Sequence, residues 1–281
     1  MPIVVGYLAA IISMLGWGSY LVPMKRVGKY DAVYYHTVMC VSIFISGSVF
    51  SLITQNLTFS WLGLLSGFFW ALGNLLSVYA IKYSRLSIAV PIWMAGAIMV
   101  SFLWGLVFFR ESVSSMLLAI LGVTLLAVGV IWVSRIDNQK GSLSRKGIVL
   151  ASFAGVLFGS YIVPFKLANT EPLLFLFPMC FGILIGGSIP FFINKPKVEG
   201  KIILPGAISG ILWNVANVAS FFSVAILGIA IGFPLTQMAL FVSVLWGLLY
   251  FHEIKGQSNV IKIIIGSFVL FTGAILLSLS K

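Results

Sequence analysis

The chain repeats itself. Residues 18–25 read GSYLVPMK and residues 159–166 read GSYIVPFK. Ser66-Gly-Phe-Phe-Trp-Ala-Leu-Gly-Asn74 returns as Ser209-Gly-Ile-Leu-Trp-Asn-Val-Ala-Asn217. Trp104-Gly105 to Arg110-Glu111 returns as Trp246-Gly247 to His252-Glu253. The separations are 159 − 18 = 141, 209 − 66 = 143 and 246 − 104 = 142 residues, so two halves run in register along the whole sequence. Each half divides into five apolar spans. An odd number of crossings makes the second copy enter the membrane from the opposite side. The expectation is therefore an inverted repeat, the arrangement that secondary transporters use for alternating access.

Hydrophobic residues make up 60% of the 281 residues and charged residues 8%, with a mean hydropathy of +1.14. That much apolar surface cannot be hidden inside a soluble fold of this length, which points to a polytopic membrane protein. The spans fall at 3–24, 33–54, 61–80, 88–109, 115–133, 147–165, 173–193, 202–223, 229–250 and 260–279. The fold class is all-α, with ten transmembrane helices in two inverted five-helix repeats. Ten spans of about 20 residues use roughly 200, which leaves no room for a soluble domain. Residues 1–140 form the first repeat with its linker and residues 141–281 the second, together one membrane transport domain. The first segment has no basic region before it and no small-residue cleavage site after it, so it reads as a retained span.

The net charge of +11 is carried in the connectors and is no nucleic-acid signature. Fourteen basic residues lie on one side of the spans: Lys25, Arg26, Lys29, Lys82, Arg85, Arg135, Lys140, Arg145, Lys146, Lys195, Lys197, Lys201, Lys255 and Lys262. The N-terminal side has three, Arg110, Lys166 and Lys281. The positive-inside rule puts the richer side in the cytoplasm and both termini outside. Cys40 and Cys180 each follow a Met in the second span of a half, as small apolar residues with no metal or redox spacing. Gly63/Gly67, Gly155/Gly159, Gly182/Gly186 and Gly206/Gly210 have the spacing that lets helices approach closely in lipid. They fit packing within one chain and leave a homodimer open. Pro91 and Pro234, in the first turns of spans four and nine, are either matched hinges or tolerated first-turn prolines.

Candidate binding residues are polar or aromatic groups at membrane depth. Trp70, Asn74 and Ser77 share one helix face, and Trp213, Asn217 and Ser220 repeat the pattern. Both tryptophans fall near the bilayer midplane, and each Asn roughly 5–7 Å from it at 1.5 Å per residue. An amide at that depth needs partners that lipid does not offer. It faces either another helix or a polar cavity. An aromatic face with nearby amides suits an uncharged, hydroxylated ring. Asn214, Trp17, Trp93 and Gln237 are further substrate-binding candidates. Trp104 and Trp246 lie toward helix ends, where interfacial anchoring is the common role.

All six acids (Asp31, Glu111, Asp137, Glu171, Glu199 and Glu253) fall outside the central part of any span. A charge there costs about 2.5–3.5 kcal/mol on insertion scales and is kept only for a reason. A carrier of organic cations is thereby disfavoured, and so is the simplest proton relay. Lys25, Glu111, Lys166 and Glu253 end matched helices and are the gating or coupling candidates, against a plainer reading as snorkelling or locally paired residues. Asp31 and Glu171 follow the two lysines by six and five residues, which suggests end-clamps. Neither an enzyme motif nor a cofactor or metal site is legible.

Trp17-Gly-Ser19, SGFFWALGN at 66–74 and FFRE at 108–111, within two five-span halves, resemble the drug/metabolite transporter superfamily, and within it the glucose/ribose uptake branch. The resemblance covers nearly the whole chain. It implies a central cavity lined mainly by spans one, three, four, six, eight and nine, and monosaccharide uptake with protons as the coupling ion in some members. The expected function is secondary transport of a small neutral polar metabolite, a monosaccharide first. An exporter of amino acids, nucleobases or hydrophobic drugs, and a non-transporting membrane receptor, remain as alternatives. The charge distribution makes one direct prediction: a reporter fused after Lys281 that is active only in the cytoplasm stays silent. Activity there reverses the orientation.

Overall fold

A computed structural model describes residues 3–110, 114–134, 144–227, 235–236, 238–252 and 256–280, and among these the secondary structure is helical with no strand. In chain order the helices are α1 (Ile3–Ser19), α2 (Val22–Arg26), α3 (Ala32–Ile53), α4 (Trp61–Tyr83) and α5 (Leu86–Leu103). After them come α6 (Met116–Ser134), α7 (Arg145–Ser160), α8 (Ile162–Ala168), α9 (Pro172–Asn194) and α10 (Gly200–Leu227). The last two are α11 (Ala239–Leu245) and α12 (Gln257–Leu279). Eight helical runs are long and apolar enough to cross a membrane, and Met116–Gly129 and Ala239–Tyr250 are shorter apolar runs in the fifth and ninth span positions. The chain is a multi-pass membrane protein.

Helix starts follow local chemistry. The Asp31 carboxylate accepts from the Val33 and Tyr34 amides at 2.9 and 3.0 Å, Ser60 from Gly63 and Ser144 from Lys146. Each cap satisfies an amide that the first turn leaves without a partner. Pro23 and Pro164 lie four residues after Ser19 and Ser160 and lack the N–H that would bond those carbonyls. The first span of each half is accordingly broken there, into α1 and α2 and into α7 and α8. Trp104–Phe108 and Trp246–Tyr250 are matched π-turns, the form often seen where a helix is locally unwound at a functional place. Each ends at a non-glycine residue in the left-handed region, Arg110 at φ 50° and His252 at φ 48°.

Packing between the halves is reciprocal. Helix α1 lies on α10 and α7 on α4; α3 lies on α10 and α9 on α4; α5 lies on α7 and α11 on α1. Helices α3 and α9 cross each other, as do α6 and α12. Exchanging the halves returns the same set of neighbours. The reciprocity extends to single side chains. A Cβ on Gly47 would run into Cys180, and one on Gly187 into Cys40. The two cysteines are thus the small knobs of the α3–α9 crossing, each seated on a glycine of the other half. Gly18 meets Val242 and the Ala239 carbonyl, and Gly159 meets Val100 and the Ala97 carbonyl.

The GxxxG pairs do pack within the chain. Gly63 and Gly67 face Pro178 and Met179, Gly182 faces Leu64, Gly186 faces Ala71 and Phe68, and Gly206 and Gly210 face Val38, Met39 and Ser42. Close approach matters in lipid because contact density and hydrogen bonding, rather than water exclusion, hold helices together. At Gly67 the opposing atom is the Met179 carbonyl, backbone that cannot rotate away. Gly67→Ala is expected to destabilise the protein by about 1–3 kcal/mol, the usual cost of overpacking, read as a lower unfolding temperature in detergent. An unchanged temperature contradicts this packing.

Candidate substrate-binding site

The ends of α1 and α7 converge with the middles of α4, α5 and α10 around one cavity. Trp17 and Tyr20 line it from the first span, and Phe158 and Tyr161 from the sixth. Trp70 comes from α4, Trp93, Met94 and Ala97 from α5, and Trp213 from α10. About 520 Å³ of space lies between these walls, counted out to the open mouth. Trp70 and Trp213, the matched tryptophans, meet with ring centroids 4.2 Å apart and planes at 47°. Phe158 lies 6.1 Å from Trp70 and 6.3 Å from Trp93. The rings meet tilted or edge-on, the arrangements favoured by the aromatic quadrupole. The walls carry no charged side chain, and their polar groups belong to tryptophans and tyrosines.

Of the residues expected at the site, Trp17, Trp70, Trp93 and Trp213 line this cavity. The amides do not. Asn74 is fully buried between α3 and α4, where its Nδ2 donates to His36 Nδ1 at 3.0 Å and approaches Met39 Sδ at 3.6 Å. With Nδ1 accepting, the ring proton belongs on Nε2, which lies 3.6 Å from Cys40 Sγ. Asn214 faces α3 and α9, donating to Ser46 Oγ at 3.1 Å while its Oδ1 lies 3.9 Å from Cys180 Sγ. Asn217 is fully buried, and neither its Oδ1 nor its Nδ2 has a hydrogen-bond partner among the described residues. Ser77 and Ser220 each donate to the carbonyl three residues back, that of Asn74 and of Asn217, both at 2.8 Å. Gln237, Glu111 and Glu253 lie outside the described residues, as does Pro234.

Five lining residues were not among the expected ones: Tyr20, Met94, Ala97, Phe158 and Tyr161. The two tyrosines were in view as the last letter of the repeated Gly-Ser-Tyr motif, three residues after Trp17 and Phe158 and so on the same helix face. His36 has no acid near it in the sequence, and its partner is an amide.

Beyond the cavity, matched contacts tie the halves at both ends. Trp246 Nε1 donates to Ser19 Oγ at 2.8 Å and Trp104 Nε1 to Ser160 Oγ at 3.0 Å. Each of these indoles, expected as interfacial anchors, donates its N–H to the opposite half, at the serine where the first span breaks. One turn on, Lys25 lies over the Phe251 ring at 5.9 Å and Lys166 over the Phe109 ring at 4.3 Å, distances at which ammonium and ring attract. Arg26 stacks on Tyr250 at 4.9 Å and bonds its hydroxyl. Each lysine thus meets an aromatic ring of the other half, and Asp31 is engaged as a helix cap.

The sequence matches the sugar transport protein family over residues 8–280. The chain belongs to that family. A protein of Enterococcus faecalis that bears a provisional sugar-uptake name is 28% identical, over 98% of this chain and 99% of the relative. The glucose uptake protein GlcU of Bacillus subtilis is 27% identical over 98% of each. Transmembrane protein 144 homolog A of Dictyostelium discoideum is 24% identical over 100% of this chain and 99% of its own length. A crystal structure superposes with a TM-score of 0.66 over 96% of this chain and 95% of that one, at 13% identity, so the likeness is one of fold. These matches agree with the resemblance to the sugar-uptake branch of the drug/metabolite transporters.

Proposed function

We propose that the protein carries a monosaccharide across the membrane by alternating access, with the solute held in the aromatic cavity between the two halves. The observation that carries this is the meeting of Trp70 and Trp213 in one uncharged cavity, flanked by Trp17, Trp93 and Phe158. A pyranose presents apolar C–H faces that stack on rings and a rim of hydroxyls for hydrogen bonds. A cavity with no fixed charge selects a neutral solute over an ion. Uptake is the favoured direction because relatives are named for it.

The reciprocal contacts support an inverted repeat. Each half supplies to the other the same glycine seats, the same indole-to-serine bond and the same lysine-on-ring contact. Contacts that exist in equivalent pairs at two ends are what a carrier needs, since one set can open while the other stays closed. Lys25 and Lys166 act as gate residues in this reading, with Glu111 and Glu253, which follow the fourth and ninth spans, as coupling candidates. Solute stabilises the closed intermediate and so speeds the exchange between states. The abundance of basic connectors on one side supports both termini being extracytoplasmic.

Purified protein in liposomes tests the proposal with labelled glucose and ribose, with and without an inward proton gradient. Saturable uptake of either sugar is the expected result. Indifference to the gradient makes the protein a uniporter, in keeping with spans whose centres hold no acid; a rise with the gradient assigns coupling to Glu111 and Glu253. No uptake of either sugar contradicts the proposal, and binding of apolar aromatics in its place favours an exporter.

A further inference from the structure

The two matched amides, Asn74 and Asn217, occupy equivalent positions and differ in how far they are satisfied, with Asn74 Oδ1 unpartnered among the described residues but its Nδ2 engaged. Asn74 has a partner in His36. The residue equivalent to His36 is Leu176, four residues before Cys180 as His36 is before Cys40, and it offers no hydrogen bond. Asn217 is left with both polar atoms unpartnered among the described residues, at full burial. An amide without partners in an apolar interior costs free energy that folding does not recover. Such a residue calls for a specific explanation, and a polar ligand is one that fits a site beside a cavity.

Other buried polar atoms lack partners too among the described residues, Asn74 Oδ1, Ser48 Oγ and Ser223 Oγ among them, and a further two belong to α1. Ser13 Oγ and Trp17 Nε1 are buried without partners as well. Their equivalents in the second half are Ala154 and Phe158, which need none. Ser13 and Trp17 are four residues apart on one face of α1, and Trp213 and Asn217 are four apart on one face of α10. Helices α1 and α10 pack together, with Gly16 against Ala216 and Leu212. Trp17 and Trp213 both reach the cavity. Ser13 Oγ, Trp17 Nε1 and the Asn217 amide thus belong to two helices that pack on each other. The α7–α4 seam on the opposite wall has Phe158 against Trp70 and Gly73.

We propose that Asn217 and the Trp17 indole N–H form the hydroxyl-reading wall of the sugar site, while Asn74 is a fixed structural group bonded to His36. This rests on the carrier reading above. The class of ligand is a neutral polyol ring with adjacent hydroxyls. Asn217 Nδ2 donates to one hydroxyl oxygen and its Oδ1 accepts from the neighbouring hydroxyl, while the indole N–H donates to a third. The apolar face of the ring lies toward Phe158 and Trp70. Opening of the seam at Gly16 gives the solute access to Asn217. The duplication thus gives matched wall positions, and divergence has made one wall polar and the other apolar, which fixes the orientation of the sugar.

The test is uptake by proteoliposomes of the intact chain, with the transported sugar and its monodeoxy analogues, for wild type and for Asn217→Ala, Trp17→Phe and Asn74→Ala. Trp17→Phe installs the residue found at the equivalent position and keeps a ring, so it guards against loss of fold. Asn217→Ala is expected to lower kcat/KM for the full sugar about tenfold or more, and Trp17→Phe by less. At one deoxy position the advantage of the full sugar over the analogue should collapse in Asn217→Ala and persist in Asn74→Ala. Unfolding temperature without solute should rise or hold for Asn217→Leu, which removes a buried orphan. It should fall for Asn74→Leu, which strands His36. Unchanged kcat/KM and unchanged deoxy ranking in both Asn217→Ala and Trp17→Phe overturn this assignment and leave the carrier reading standing. A lowered unfolding temperature for Asn217→Leu also overturns it. A wild-type protein that moves no sugar overturns both.

Discussion

Lipid supplies no hydrogen-bond partners, and most of this structure is a response to that fact. Backbone groups are satisfied within helices. Side-chain polar groups are satisfied by the other half of the chain: Trp104 by Ser160, Trp246 by Ser19, Tyr35 by Ser209, Asn214 by Ser46. Because the sequence is duplicated, the indole-to-serine bond occurs twice, as does the lysine-on-ring contact. The same interactions that hold the halves together are therefore present at two equivalent places, and breaking one set leaves its counterpart intact. In the proposed carrier, this pairing is what would make the interface bistable.

Close approach is the second half of this response. Glycines at the α4–α9, α3–α10 and α5–α7 contacts let backbones meet, and Cys40 and Cys180 fill the remaining depth at the α3–α9 crossing. Where packing is this tight, polar groups that find no partner stand out. Asn217, Trp17 and Ser13 do so on two helices that pack together, and the equivalents of Ser13 and Trp17 in the other half, Ala154 and Phe158, have no polar side-chain atom.

Much of this was legible in the sequence because it was written twice. The register of the halves, the helical runs and the common face of Trp70, Asn74 and Ser77 all follow from short local patterns. Partners were harder to read. Asn74 bonds a histidine 38 residues away, in another helix, and no local spacing announces it. Lys25 precedes an acid by six residues, which invited a local clamp; its ring partner is Phe251, on the far side of the duplication. Trp104 and Trp246 have the position of interfacial anchors, and only the fold places a serine within reach of each indole. Helix-to-helix choice is a tertiary property in lipid, where every neighbouring surface is apolar and the pattern along one helix does not name its partner.

The central claim is that matched end contacts open in alternation. The most direct measurement is reversible cross-linking of each end in turn, with Cys introduced at Lys25 and Phe251 in one variant and at Lys166 and Phe109 in another. The native cysteines are buried and leave the engineered pairs as the accessible thiols. Either cross-link alone should stop solute exchange, and reduction should restore it. Full-rate exchange with either end covalently closed would contradict alternating access through this cavity.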